Sequence, residues 1–127
     1  MTSRIFRGIP SLQELECTGR SLKPEVKLLA LQLYMLPDHE LLASLNGYSN
    51  NCVTFGEYSS CVVDSTDTHK SRLRILVADL TEGESRRYKC TATTVDSYGL
   101  SKIITWNIVV RRISKCMVVY ILSLIHI

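Results

Sequence analysis

The stretch from Ile75 to Cys90, ILVADLTEGESRRYKC, limits what this chain can fold into more than any other. Ile75 and Val77 alternate along an extended run, so both point to one face. Leu80 is the last apolar residue before the polar corner TEGES, where Gly83 can take positive φ and let the chain reverse. Glu84 opens the next run, which reaches Tyr88 and then Cys90 two residues later. Tyr88 and Cys90 share a parity and therefore a face. A tyrosine on an inward face packs its ring on the core and needs a partner for its hydroxyl. The pattern predicts two antiparallel strands, a corner between them and a core on one side.

The rhythm continues on both sides. CTATTVDSYGLSKIITWNIVV places Ala92 two residues after the cysteine, Gly99 in a hairpin, and Ile104, Trp106, Ile108 and Val110 in alternation with Thr105, Asn107 and Val109. Upstream, LQELECTG puts Leu15 and Cys17 on one face. These segments resemble strands B, E, F and G and the E–F corner of the immunoglobulin superfamily, its intermediate set with V-like features, over residues 12–110. The resemblance implies an all-β, immunoglobulin-like two-sheet Greek-key sandwich occupying residues 12–112. It makes Tyr88 the corner tyrosine, with its hydroxyl returned to an upstream backbone group, and Glu84 the corner carboxylate, where the family usually has aspartate. Ile75, Val77, Leu80 and Trp106 are then core residues. The chain departs from the pattern at Arg86, where a small residue is usual. It also lacks the strand C tryptophan, whose position falls near Leu31; a leucine fills volume but cannot stack a ring on a disulfide.

Strands B and F face each other in such a sandwich, which implies a Cys17–Cys90 disulfide. In the chain-entropy view that crosslink contributes about 4 kcal/mol. Cys52 and Cys61 lie in the Gly/Ser/Tyr-rich segment NNCVTFGEYSSC and are candidates for a second, local pair worth about 2–3 kcal/mol. Cys116 is then the odd cysteine. Two pairs imply an oxidising compartment. No cysteine or histidine spacing matches a metal site, and none is expected.

Length and composition agree with one domain: 127 residues, 46% of them hydrophobic, with a net charge of +3. That charge is too small to point to nucleic acid, and the arginines read as scattered solvated strand positions. The hard segment is SLKPEVKLLALQLYMLPDHELLASL, residues 21–45. Its composition favours a helix, with Pro24 and Glu25 suited to a first turn. The strand reading is preferred, because the B–F framework needs a strand C here. It places Leu29, Leu31, Leu33 and Met35 inward, turns at Pro37-Asp38, and forms a second strand from Glu40 to Leu45. Residues 46–70 read as loop and a poorly defined D region.

The ends differ from the middle. Residues 1–11 are a polar lead without an apolar signal-peptide core, so the expectation is a fragment whose start lies upstream. In the tail, residues 113–127, the eleven residues from Met117 to Ile127 have only Ser123 and His126 as polar members. It reads as translated linker sequence, which its ending LSLIHI resembles, or else as a truncated membrane helix or a terminal strand. Strand G is expected to end near Val110.

No hydrolase elbow, zincin, P-loop or dinucleotide motif occurs. His39 reads as a solvated turn tip and His69 as a polar-loop residue. An enzyme is not expected, nor a cofactor. The expected function is an extracellular immunoglobulin-like recognition module with a protein or glycan ligand, a fragment of a larger secreted immune-recognition protein. The texture of LLALQLYMLPDHELLASLNG and LRILVADLTEGESRRYKCTA is similar to the N-terminal immunoglobulin domains of molluscan fibrinogen-related lectins. Two alternatives stand beside it: a fragment of an adhesion or receptor ectodomain, with membrane contact only through the tail, and an intracellular muscle-type domain with reduced cysteines.

Overall fold

A computed structural model describes residues 2–5, 12–78, 80–113 and 116–126. Among the described residues, ten strands form two sheets: β1 (Thr2–Ile5), β2 (Leu12–Thr18), β3 (Lys27–Leu36), β4 (Glu40–Asn46), β5 (Cys52–Thr54), β6 (Ser59–Val62), β7 (Arg72–Ala78), β8 (Ser85–Val95), β9 (Ser101–Ile113) and β10 (Cys116–His126). The small sheet has the order β2-β7-β6, and the large one β1-β10-β9-β8-β3-β4-β5. All pairings are antiparallel. The chain changes sheet between β1 and β2, β2 and β3, β5 and β6, and β7 and β8. This is an all-β, immunoglobulin-like two-sheet sandwich, with β2, β7 and β6 in the places of strands B, E and D. Strands β9, β8, β3, β4 and β5 stand for G, F, C, C′ and C″, and β10 and β1 extend the sheet beyond G.

Alternation explains the core. Leu15 and Cys17 of β2 and Leu73, Ile75 and Val77 of β7 face Leu31, Leu33, Leu45, Tyr88, Cys90, Ala92, Ile108 and Val110 across the gap, all buried. Each large aliphatic side chain buried this way contributes about 1.5–3 kcal/mol. Trp106 is half-buried and packs against this cluster. The opposite face of the small sheet is a charge ladder: Arg72 lies 3.4 Å from Glu16, and Arg74 lies 3.5 Å from Glu14 and 3.3 Å from Glu16. Partly exposed pairs of this kind add little stability but keep that face in water.

Within residues 21–45 two strands form, β3 from Lys27 and β4 from Glu40, as the strand reading requires, while residues 21–26 remain loop. Leu31 is opposite Leu45 and Ala92, and Leu33 is opposite Ala43 and Cys90. Burial on a two-sided core outweighs the helical propensity of this run. One detail is corrected: the register shifts between Leu28 and Ala30, so Leu28 is buried and Leu29 only half-buried. The bulge takes Leu29 out of the inward series. The D region also has more structure than expected. It contains β5, β6 and a 3₁₀ turn at Thr68–Lys70, capped by the Asp67 side chain.

Strand β9 runs to Ile113 rather than ending near Val110. The reason is backbone pairing with the corner: Gly83 N–H donates to Arg112 O at 2.8 Å, and Arg112 N–H donates to Glu84 O at 3.1 Å. Arg112 Nη1 also donates to Leu80 O at 2.8 Å. Of the tail, Cys116–His126 is placed as a strand between β9 and β1. Residues 114, 115 and 127, and most of the polar lead, lie outside the described residues.

Candidate functional site

Antiparallel order brings three loops to one end of the sandwich: residues 19–26 between β2 and β3, residues 47–51 between β4 and β5, and residues 96–100 between β8 and β9. In variable-type sandwiches the corresponding loops form the binding end. Each loop here is held by its own polar groups. In the first, Leu22 N–H donates to Gly19 O at 3.0 Å and Val26 N–H to Lys23 O at 3.2 Å.

The second loop is pinned to β3. Gly47 N–H donates to Leu29 O at 2.8 Å, and a Cβ on Gly47 would stand only 1.9 Å from Leu28 O, so only glycine fits. Asn46 Oδ1 accepts from Tyr48 N–H at 2.9 Å and Ser49 N–H at 3.3 Å. Asn50 takes φ 58°, a conformation asparagine tolerates better than most residues. Lys27 Nζ sits 4.3 Å from the centre of the Tyr48 ring.

The third loop is a hairpin tip organised by Asp96. Its Oδ1 accepts from Tyr98 N–H at 2.9 Å and Leu100 N–H at 3.0 Å, while its backbone N–H donates to Leu100 O at 3.0 Å. Gly99 supplies the positive φ of 80° that the turn needs. With the backbone fixed, the side chains of Tyr98 (89% exposed), Tyr48 (68%) and Leu100 (61%) project into solvent. Tyr98, Lys23, Lys102, Ser21, Thr94 and Asp96 contribute to a cleft of about 480 Å³ below the tip. Leu22 separates it from a second cleft of about 470 Å³ that includes Arg20, Lys70 and His69. Apolar rings on preorganised backbone, with hydroxyls and cations beside them, suit binding.

The residues singled out in the sequence sit elsewhere, in the scaffold. Cys17 and Cys90 form a buried disulfide with Cα atoms 5.7 Å apart. Cys52 and Cys61 form a second, with Cα atoms 6.4 Å apart, linking β5 of one sheet to β6 of the other. Leu31 is fully buried in the core. Tyr88 is buried, with the Arg86 side chain as a hydrogen-bond neighbour of its phenol. Burial raises its pKa, and the neighbouring Arg86 opposes the rise. Glu84 is exposed, with its carboxylate 4.0 Å from Arg86.

His39 is an exposed turn residue, as expected, and both histidines have neighbours. His39, at φ 58°, stacks on Tyr34 with ring centres 4.5 Å apart, and Lys89 Nζ meets its Nε2. His69 is half-buried, and its carbonyl accepts from Thr18 Oγ1 at 3.2 Å. Nearby, Asp64 Oδ1 accepts from Thr66 Oγ1, Thr66 N–H and Asp67 N–H at 2.6, 2.9 and 3.1 Å. Those bonds, the Thr66 hydroxyl foremost, hold its pKa below the ordinary value. Among the described residues, no cluster of three or more His, Cys, Asp or Glu side chains is arranged to hold a metal, and no helix is long and apolar enough to cross a membrane.

Sequence reading missed Tyr48, Tyr98 and Leu100 as surface groups. The available signals were Asn46-Gly47-Tyr48 and Asp96-Ser97-Tyr98-Gly99, in which turn-forming residues flank an aromatic that cannot be strand core. No protein-family model and no curated protein sequence matches the chain.

Proposed function

We propose that this chain is an extracellular recognition module of the immunoglobulin superfamily and part of a larger secreted immune-recognition protein. Its ligand is a protein or glycan bound at the three-loop end. The observation that carries this reading is the pairing of rigid backbone with exposed rings at Tyr48 and Tyr98. Asn46 and Asp96 accept hydrogen bonds from their own loop N–H groups, so the backbone that presents the rings has little conformational freedom left to lose on binding. The two disulfides support an oxidising, extracellular setting.

The test uses the chain displayed as a multivalent fusion against arrayed glycans and a panel of microbial cells. Wild type should bind at least one surface, and the Tyr48→Ala/Tyr98→Ala/Leu100→Ser variant should lose about tenfold or more, since buried aromatic anchors dominate such interfaces. Equal binding by both, or binding by neither, contradicts the proposal.

A further inference from the structure

At the opposite end of the sandwich, the Cys52–Cys61 disulfide closes a nine-residue separation whose tip is Phe55-Gly56-Glu57-Tyr58. The tip is tied to both sheets: Phe55 N–H donates to Leu42 O at 2.8 Å, and Leu76 N–H donates to Tyr58 O at 2.9 Å. Ser59 Oγ also donates to Phe55 O at 2.6 Å, and Gly56 takes φ 87°. The loop therefore bridges the open edges of the two sheets as a fixed arch. Phe55 and Tyr58 are about half exposed, at 48% and 51%.

Beneath the arch is a cavity of about 320 Å³ with Met35, Leu42, Ile75 and Tyr88 in its lining. That volume is at the small end for ligand pockets and suits one side chain better than a whole cofactor. Two charged groups border it: Arg86 on β8, which also neighbours the Tyr88 phenol and stands 4.0 Å from Glu84, and Glu57 at the loop tip. Among the described residues, no other charged residue contributes to the lining. An apolar floor between a cation and an anion complements a ligand with an apolar centre and both signs of charge.

We propose that this arch is a second binding site, independent of the three-loop end, for a peptide segment of a protein partner. An aromatic residue of the partner enters the cavity, flanked on one side by a carboxylate that meets Arg86 and on the other by a cation that meets Glu57. Neither charge alone fits the bipolar rim, which disfavours simple organic anions.

The test is a nitrogen–proton NMR titration of the full chain with four blocked tripeptides: Lys-Phe-Asp, Asp-Phe-Lys, Gly-Phe-Gly and Lys-Ala-Asp. One of the two charged Phe peptides should perturb residues 55–58 and 86 and bind severalfold tighter than Gly-Phe-Gly, as partly exposed ion pairs allow. If the tighter peptide is Lys-Phe-Asp, its Lys-Ala-Asp analogue should bind about tenfold or more weakly; if it is Asp-Phe-Lys, the alanine analogue of that order takes its place. Phe55→Ala should weaken every Phe peptide. Glu57→Gln and Arg86→Gln should each remove part of the preference for charged over uncharged peptide. Glu57 and Phe55 are exposed loop residues, so their variants carry the test if Arg86→Gln disturbs Tyr88. Perturbations elsewhere, or no difference among the four peptides, overturn the proposal whatever happens at the three-loop end.

Discussion

The two disulfides do different work with the same bond. Cys17–Cys90 joins β2 to β8 through the middle of the sandwich, where both cysteines are buried among Leu31, Leu33, Leu73 and Ala92. Cys52–Cys61 joins β5 to β6 at the open edge, where both cysteines are only half-buried and the strands are three and four residues long. The central bond closes a long stretch of chain and is surrounded by packing that holds the sheets together without it. The edge bond closes a short stretch, where the 55–58 arch, hydrogen-bonded to Leu42 and Leu76, is the other link between the sheets. The contrast teaches that a disulfide's contribution to stability and its contribution to local order need not run in parallel: the first depends on the loop it closes, the second on what else holds the site.

Removing each bond is the strongest way to break this comparison. A Cys17→Ala/Cys90→Ala variant should lose about 4 kcal/mol or more in guanidinium unfolding, a large part of the 5–15 kcal/mol that typical domains possess. A Cys52→Ser/Cys61→Ser variant should lose about 2–3 kcal/mol. Its native-state hydrogen exchange should accelerate chiefly in residues 52–62, leaving β3, β8 and β9 protected. If the edge variant loses more than the central one, the comparison fails.

Tyr88 sharpens the central side. Tyr88→Phe keeps the ring and loses the contact with Arg86, so it should cost about 1 kcal/mol. The folded-state pKa of Tyr88 lies above its ordinary value of 10.0, so folding favours the protonated phenol. That contribution is complete below the ordinary value and is lost as pH rises through the folded one. Alkaline unfolding of wild type should therefore be steeper than that of the Phe variant, measured by the denaturation midpoint across that range.

The smallest effect belongs to the edge side, at the turn that follows β6. Asp64 has its pKa held below 3.8 by hydrogen bonds, so its contribution is present above that value and disappears as pH falls through the folded one. Asp64→Asn should be slightly less stable than wild type at neutral pH, with the difference vanishing in acid. A difference that persists in acid would assign the effect to shape instead of charge.

The core was legible in the sequence because alternation is a local signal. Ile75, Val77, Tyr88 and Cys90 declared their face by parity, and the structure buries all four. The B–F opposition then located Cys17 and Leu31. What escaped depended on contacts between distant segments. The bulge that exchanges Leu28 for Leu29 is set by pairing with β8, not by the leucine run itself. The extension of β9 to Ile113 depends on Gly83 and Glu84. Arg86 as the partner of Tyr88 was visible only as a departure from the family pattern. The loop rings at Tyr48 and Tyr98 were hidden because an aromatic counts as core until its turn chemistry is read with it.

Disulfide mapping under non-reducing conditions tests the central comparison most directly. Trypsin should release residues 8–20 covalently joined to residues 90–102, because Cys17 and Cys90 lie in those two peptides. Residues 28–70 contain no internal Lys or Arg before Lys70 and should carry Cys52–Cys61 as an internal bond. Cleavage after Glu57 should then leave the two halves of that peptide together until a reductant separates them. A bond from Cys90 to Cys52 or Cys61, or free thiols at all four positions, would contradict the division into a core bond and an edge bond.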